Sequence, residues 1–336
     1  MTGPGQTTAR RAPTRADFLR RRAVALGVGA GLLLSVLALA RGDSGTPFGH
    51  ALDATLTPAQ AAKLPWRQDY TSGSAGPLDA RGLPSRAAQR AAVARFYRLG
   101  LPIYCAGARG GYAALTFDDG PHPLSLQFLQ LLQRAGIQST HFVIGGQVDA
   151  HSAPLVKAEE GLGGVADHTW THPFLTRLSP GEVNFELGQT QRTLEQVVRA
   201  PITLMRPPYG DYDPQVNQVV HRMGMVGVLW DVDSRDSAGA AAPQILANVE
   251  QGLRPGAIIL MHETYDRSLA ALPQVLVAAQ RKRLRLVSVP ELLALDPPPD
   301  ALVRAGPTGC TDRERYQQQE DATAMRLTRD GGKPPA

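Results

Sequence analysis

The chain has 336 residues, 43% of them apolar, which suits one large α/β domain or two small ones and excludes a fibrous or disordered protein. The formal charge of +5 comes from the amino terminus, where six arginines precede residue 23. Without that segment the basic and acidic side chains are equal in number. The charge therefore gives no support for a nucleic-acid-binding surface, and we exclude nucleic acid as a partner.

Residues 1–40 have the pattern of an export signal. The arginines lead into Ala23 to Ala40, eighteen residues without a charge. A bilayer core takes about 20 apolar residues, so the segment could be an uncleaved membrane anchor. Ala38-Leu39-Ala40 also has the small-x-small form of a signal peptidase site, so a cleaved signal peptide is the other interpretation. Both predict an extracytoplasmic protein, either membrane-anchored or secreted.

Residues 41–110 form an N-terminal extension whose clearest element is a helix predicted near 85–99. Apolar residues at helical spacing lie on one side of it, and Gly100 stands where the helix should end. The chain has two cysteines, Cys105 and Cys310. An oxidising compartment would let them pair as a disulfide, and two separate buried thiols are the alternative. Residues 296–336 are a proline-rich, then polar tail, which we expect to be disordered after residue 310.

Residues 111–295 alternate short apolar runs with amphipathic helices, a pattern typical of β/α units around a parallel sheet. Two helix starts are marked by Ser179-Pro180-Gly181-Glu182, a capping box, and by Asp213-Pro214. Seven strands, close to the number in a barrel, are predicted at Ala113–Phe117, His141–Ile144, Gly164–Ala166, Thr203–Met205, Val226–Trp230, Ala257–Met261 and Leu286–Val289.

The unusual polar residues follow the carboxyl ends of these predicted strands, where α/β barrels place their chemistry. Asp118 and Asp119 are adjacent carboxylates that repel unless a cation lies nearby, although Asp-Gly-Pro is also ordinary turn chemistry. His168 and His172 are four residues apart, so both could face one ion. Together with a carboxylate they would make a three-ligand site open to water and substrate.

Three further strand ends carry candidate residues. Arg206 precedes two stiff prolines and could pair with a carboxylate. The stretch from Trp230 to Asp236 contains three carboxylates, some of which must be plain surface residues. His262 closes a very apolar strand, a position that by itself is more often structural than catalytic.

Five motifs in this order, TFDDGP, HTWTH, RPPYG, WDVDSRD and LMH, resemble those of the polysaccharide deacetylases, the NodB-type carbohydrate esterases of family 4. The resemblance covers about residues 112–295. It implies a distorted (β/α)7-type barrel with a divalent metal, most often zinc, with cobalt, manganese or nickel as alternatives. The metal ligands that it implies are Asp119, His168 and His172.

The resemblance also implies catalytic roles. Asp118 would be the general base toward the attacking water, with Arg206 orienting it and the backbone N–H of Tyr209 stabilising the oxyanion. His262 would be the general acid that protonates the leaving amine. The remaining roles are Asp233 as the carboxylate that orients that imidazole, Leu260 in the acetyl-methyl pocket, and Tyr209 and Trp230 in substrate binding.

Three positions depart from the family pattern. Asp167 stands just before the first metal histidine, where asparagine is common. Ser237 replaces a usual tryptophan, which removes one wall of the substrate groove. His141 stands where an aromatic residue is usual, and we expect it to be structural.

The function implied is metal-dependent removal of N-acetyl groups from an N-acetylglucosamine-containing polysaccharide such as peptidoglycan or chitin-like oligomers. O-deacetylation of a substrate such as xylan is the closest alternative. A non-haem iron oxygenase shares the two-histidine, one-carboxylate ligand set, and a non-catalytic glycan-binding module is the third class. Acetylated cell-wall polysaccharide is the expected partner, with membrane contact only through an uncleaved leader.

Overall fold

The computed structural model describes residues 78–312, which include the whole of the predicted catalytic region. Residues 1–77 and 313–336 lie outside this range, so the predicted leader, most of the N-terminal extension and the end of the tail fall there. Within residues 78–312 none of the helices combines the length and the apolarity needed to cross a bilayer.

The described chain is built on one eight-stranded parallel sheet with helices around it. The strands are β1 Tyr112–Gly120, β2 Thr140–Val143, β3 Val165–Asp167, β4 Leu204–Met205, β5 Val226–Gly227, β6 Val232–Asp233, β7 Ile258–His262 and β8 Arg285–Val287. Their order is β5-β4-β3-β2-β1-β7-β6, with β8 pairing to the start of β1. This curved parallel sheet is the predicted α/β architecture, a distorted (β/α) barrel with the long strand β1 at its centre.

The helices alternate with the strands along most of the chain. They are α1 Arg86–Leu99, α2 Ser125–Ala135, α3 Ala153–Gly161, α4 Pro180–Val198, α5 Pro214–Arg222, α6 Ala242–Gly252, α7 Asp266–Arg281, α8 Val289–Leu295, α9 Asp300–Ala305 and α10 Pro307–Thr311. The two predicted helix starts are confirmed. Ser179 and Glu182 form a reciprocal capping box on α4, and the Asp213 side chain accepts a hydrogen bond from Val216 N at the start of α5.

One predicted strand is wrong in its extent. The apolar run Val226–Trp230 was expected to be a single strand, but it forms only the short β5, and a separate strand, β6, follows at Val232. The backbone of Val228 bridges in parallel to Ile103, a residue of the N-terminal extension. The hydrogen-bonding partners of this run therefore change along its length, which its apolar sequence did not indicate.

The two faces of the sheet differ in what they pack against. Side chains alternate between faces along a strand, so Phe117 and Asp118 point to opposite sides of β1. Phe117 belongs to the apolar core formed with α2 and α7, which includes Phe128 and Leu272. We call this the outer face. Asp118 lies on the inner face, together with Thr116 and, through the β1–β7 register, Leu260.

Residues 78–110 and 296–312, the described parts of the N-terminal extension and of the tail, both pack on this domain. The predicted helix near 85–99 is α1, which begins after the cap Ser85 and ends at the left-handed Gly100, and Phe96 packs in the core with Leu292. Cys105 and Cys310 form a disulfide, as predicted. It fixes α9 and α10, two short helices that the proline-rich sequence did not predict, against the start of the domain.

Candidate active site

The carboxyl ends of four strands bring the candidate residues together on the inner face. Asp118 and Asp119 lie near the end of β1, His168 directly follows β3, and Arg206 directly follows β4. His262 ends β7, with its Cα opposite that of Asp118 in the β1–β7 register. The sheet therefore places residues from distant parts of the chain around one point.

Asp119, His168 and His172 form a three-residue group whose ligand atoms all lie within 4.8 Å of one another. The Asp119 Oδ1 atom lies 3.3 Å from His172 Nε2 and 3.4 Å from His168 Nε2. Among the described residues this buried oxygen has no hydrogen-bond partner. Burial alone would raise the pKa of the Asp119 carboxyl, but the two imidazoles outweigh it and lower that pKa. An ionised, unsatisfied oxygen between two imidazoles is what a cation site requires.

The ring orientation of His168 suits metal binding. Its Nδ1 atom lies 2.7 Å from the backbone carbonyl oxygen of Arg206. Because a carbonyl can only accept, Nδ1 carries the hydrogen in this contact, and in the neutral ring the Nε2 lone pair is directed toward Asp119. On the other histidine, His172 Nδ1 lies 3.1 Å from the Tyr209 hydroxyl. Two nitrogens and one carboxylate oxygen, with the rings held from behind, fit a divalent transition-metal ion such as zinc.

A buried glutamate shapes the loop that carries the two histidines. Glu186 on α4 accepts hydrogen bonds from the backbone N–H groups of Trp170 and Thr171 and from the Thr171 hydroxyl. Thr169 and His172 have φ values of 67° and 62°, a left-handed conformation that is uncommon outside glycine. The glutamate contacts help to hold a loop conformation that brings both imidazoles to the same ion.

Arg206 holds Asp118 from within the barrel. The guanidinium is completely buried, and its Nη1 atom donates to Asp118 Oδ1 over 2.7 Å and to the Thr116 hydroxyl over 2.8 Å. Its other nitrogens donate to the carbonyl oxygens of Val228 and Leu229. Every arm of the guanidinium is thus satisfied, and the Asp118 carboxylate is fixed with its second oxygen, Oδ2, 3.7 Å from His168 Nε2.

The carboxylate that orients His262 is Asp236, and the prediction that it would be Asp233 is wrong. Asp236 Oδ1 lies 2.7 Å from His262 Nδ1, and its Oδ2 accepts from the His262 backbone N–H and from the Ser268 hydroxyl. Asp233 instead accepts from the backbone N–H of Arg235 in its own turn. The chain turns after β6, where Arg235 has a φ of 57°, and this turn brings the later aspartate to the histidine.

This pairing changes the acidity of His262. Burial would lower the pKa of its imidazole, but the hydrogen bond to Asp236 and the nearby negative charges of Asp118, Asp236 and Asp119 raise that pKa to about 9. These carboxylates therefore favour the protonated ring at neutral pH. A histidine in this state, opposite the Asp118 carboxylate, is suited to donate a proton.

The rim of the site is aromatic. Tyr209, 58% exposed with φ 61°, stacks on Phe174 with a centroid distance of 4.0 Å. Trp230 lies near the turn at Gly210 and the Arg206 guanidinium. Leu260 is buried on the inner face next to Thr116 in the register. Tyr209, Trp230 and Leu260 were predicted from sequence to contact substrate, whereas Phe174 was not.

Three residues of the site were missed from sequence. The sequence does contain a signal for Asp236, because this residue lies in the same acidic stretch as Asp233 and next to the unusual Ser237. Phe174 follows the second histidine by two residues and is 38% exposed. Glu186 lies in a helix with no local signal, so its contact with the histidine loop depends on tertiary packing alone.

Comparisons with known proteins identify the family of this chain. The polysaccharide deacetylase family profile matches residues 107–228. A chitooligosaccharide deacetylase of Bradyrhizobium is 34% identical over 203 residues, which cover 55% of this chain and 91% of that protein. A bifunctional xylanase/xylan deacetylase of Cellvibrio japonicus is 33% identical over 175 residues, 52% of this chain. The match spans only 26% of that longer relative.

Among solved structures, the Bc1960 peptidoglycan N-acetylglucosamine deacetylase superposes with a TM-score of 0.54 and 26% identity, covering 56% of this chain and 91% of that one. The chain therefore belongs to the polysaccharide deacetylase family, carbohydrate esterase family 4, and has the family's (β/α) barrel.

Proposed function

We propose that this protein is a metal-dependent hydrolase that removes N-acetyl groups from an N-acetylglucosamine-containing polysaccharide. The observation that carries the proposal is the convergence of Asp119, His168 and His172 beside the Arg206-held Asp118. A protonated imidazole, His262, belongs to the same site. This arrangement supplies a cation site, a base and an acid around one substrate position, which acyl hydrolysis requires.

The metal ligands in this proposal are Asp119, His168 and His172. When bound there, a divalent cation, zinc by the nature of the donors, supplies Lewis-acid chemistry that polarises the acetyl carbonyl and acidifies water.

Asp118 acts as the general base in this proposal. Its ion pair with Arg206 holds Oδ1, so that Oδ2 is the oxygen positioned to take the proton of the attacking water. The Thr116 hydroxyl accepts a hydrogen bond from the same guanidinium nitrogen, Nη1, and so helps to hold the arginine in place.

His262 acts as the general acid. Asp236 accepts at Nδ1, so Nε2 is the nitrogen that can give its proton to the departing amine as the C–N bond breaks. The Tyr209 backbone N–H donates to the oxyanion, and Leu260 lines the acetyl-methyl pocket. Tyr209 and Trp230, with Phe174, contact the sugar from the rim.

The substrate class rests on the relatives. Those reported above act, by their names, on chitooligosaccharide, peptidoglycan N-acetylglucosamine and xylan. An extracytoplasmic enzyme that meets acetylated cell-wall polysaccharide agrees with the export pattern of residues 1–40. Membrane contact through an uncleaved leader belongs to the same proposal.

O-deacetylation is a second candidate, favoured by the similarity to the xylan deacetylase. Acetate release would be measured with chitooligosaccharides, peptidoglycan and acetylxylan, before and after chelation and with zinc added back. We expect release from the N-acetylated substrates, loss of release on chelation, and recovery with zinc. Release from acetylxylan alone would replace the proposed substrate, and release unaffected by chelation would reject the metal.

A further inference from the structure

A second group of metal-ligating side chains lies in the outer layer of the domain. It consists of His141 on β2, Glu159 on α3 and Glu263, which directly follows β7. All three residues are completely buried, and one donor atom of each lies within 4.8 Å of the others. We call this group the outer cluster.

The outer cluster is separated from the active site by the sheet. His141 is opposite Phe117 in the β1–β2 register, and their rings stack at 5.3 Å, so both are on the outer face. Asp118, next to Phe117, points to the inner face. Likewise Glu263 and His262 are neighbours whose side chains have different partners, His141 and Asp236 respectively. None of the residues of the outer cluster takes part in the chemistry proposed above.

Three carboxylate oxygens of the outer cluster are unsatisfied. Both oxygens of Glu159 and Oε1 of Glu263 have no hydrogen-bond partner within residues 78–312. Burial, together with the nearby Glu263 charge, raises the pKa of Glu159 well above its usual value. Two buried carboxyl groups side by side therefore need a positive charge between them, either a proton or a cation.

A shared proton satisfies too few of these atoms. One proton between the two carboxyl groups would serve two of the three unsatisfied oxygens and leave the third without a partner. His141 Nε2 lies 2.9 Å from the Ser139 hydroxyl, and its Nδ1 lies 3.2 Å from Glu263 Oε2. If Nε2 donates to Ser139, the Nδ1 lone pair faces a carboxylate oxygen. A cation there would be bound by that nitrogen as well as by oxygens of both glutamates, which one proton cannot be.

We propose that His141, Glu159 and Glu263 bind a second, structural divalent cation, separate from the catalytic one. Two carboxylates balance the charge of such an ion, and one imidazole with carboxylate oxygens suits zinc or another first-row divalent metal. Because all three ligands are buried, this ion joins β2, α3 and the segment after β7 and takes no part in turnover. The proposal does not depend on the function of the inner site.

Metal content of the purified full-length protein tests the proposal. The protein would be produced with zinc in the medium, and zinc per chain would be measured by mass spectrometry for the wild type and three variants. The wild type should contain two ions, and His168→Ala combined with His172→Ala should remove one and leave one. Glu159→Gln should also leave one, whereas Glu160→Gln, the next residue on the same helix, should leave two.

Two results would overturn the second site: a His168→Ala/His172→Ala variant without zinc, or a Glu159→Gln variant with as much zinc as the wild type. Anomalous diffraction at the zinc edge gives a second readout that needs no variant. We expect a peak bonded to His141 Nδ1 and to the two glutamates at about 2.0–2.2 Å. Direct contact between the Glu159 and Glu263 oxygens with no peak would show a shared proton instead.

Discussion

The two histidine–carboxylate clusters lie on opposite sides of the same sheet and use the same kinds of ligand. The inner cluster of Asp119, His168 and His172 includes two partly exposed residues, whereas the outer cluster of His141, Glu159 and Glu263 is sealed. Substrate can reach only the inner cluster. The two clusters therefore differ in their access to solvent and not in the chemistry of their ligands. Access to solvent is what separates the proposed catalytic site from the proposed structural one.

The backbone differs between the two clusters as well. Asp119 and His172 have φ values of 72° and 62°, and Tyr209, which touches His172, has a φ of 61°. His141 and Glu159 lie within a regular strand and helix. Uncommon backbone conformations concentrate where a reactive geometry must be held, and the outer cluster needs none because regular elements already present its ligands.

The largest expected effect comes from replacing Asp118, the proposed general base. Asp118→Asn should lower kcat by about 10²- to 10⁴-fold, because a positioned base contributes that much to hydrolysis. The metal content should remain that of the wild type, since Asp118 is not among the proposed ligands. Acetate release and zinc content measured on one preparation check both points. Unchanged turnover would remove Asp118 from the mechanism.

A substitution in the apolar core on the outer face should lower stability and leave kcat nearly unchanged. Phe128 is completely buried and packs edge-on against Phe117 at 5.2 Å. Phe128→Ala should lower the free energy of unfolding by about 3–5 kcal/mol, because it leaves a cavity. Denaturant unfolding measures this change. At 20 °C the folded variant should retain kcat within about twofold, since Phe128 does not touch the inner face.

The matched control is Phe185→Ala on α4, where the side chain is 53% exposed and little stability should be lost. A large loss of kcat in Phe128→Ala with unchanged stability would contradict the separation of the two faces.

The role of His262 as the proposed general acid can be tested by the pH dependence of kcat. His262 has a raised pKa of about 9, so the protonated acid, and with it kcat, should be lost as pH rises through 9. In Asp236→Asn the pKa of His262 should fall toward about 6.5, the ordinary value for histidine. At pH 8 the protonated fraction, and therefore kcat, should then drop relative to the wild type, by about 30-fold in the limit where the pKa reaches 6.5.

Asp233→Asn is the matched control, because Asp233 caps its own turn and does not contact His262. Its pH profile should follow that of the wild type. A shifted alkaline limb in Asp233→Asn, with none in Asp236→Asn, would restore the original sequence-based assignment.

The smallest expected effect is at the rim. Phe174→Ala removes the ring that stacks on Tyr209 and should raise KM by about three- to tenfold with kcat nearly unchanged, since an aromatic stack contributes about 0.5–1.5 kcal/mol. Steady-state kinetics with chitooligosaccharides of increasing length measure it. A fall in kcat without a change in KM would indicate that Phe174 positions His172, through Tyr209, and does not bind the sugar.

Sequence alone determined much of this protein, because its signals are local. The capping box at Ser179, the helix from Arg86 to Leu99 and the strand before Asp118 follow from patterns within a few residues of each other. Five short motifs, each read locally, indicated the family and the proposed ligand set.

Only the tertiary structure decided which residues meet across the sheet. Asp236 reaches His262 because the chain turns after β6, and the sequence offered three carboxylates with no measure of distance. The outer cluster joins positions 141, 159 and 263, whose register and helix packing no local pattern contains. Local interactions are encoded in neighbouring residues, whereas contacts between distant segments depend on the sheet order and on the packing of helices against it.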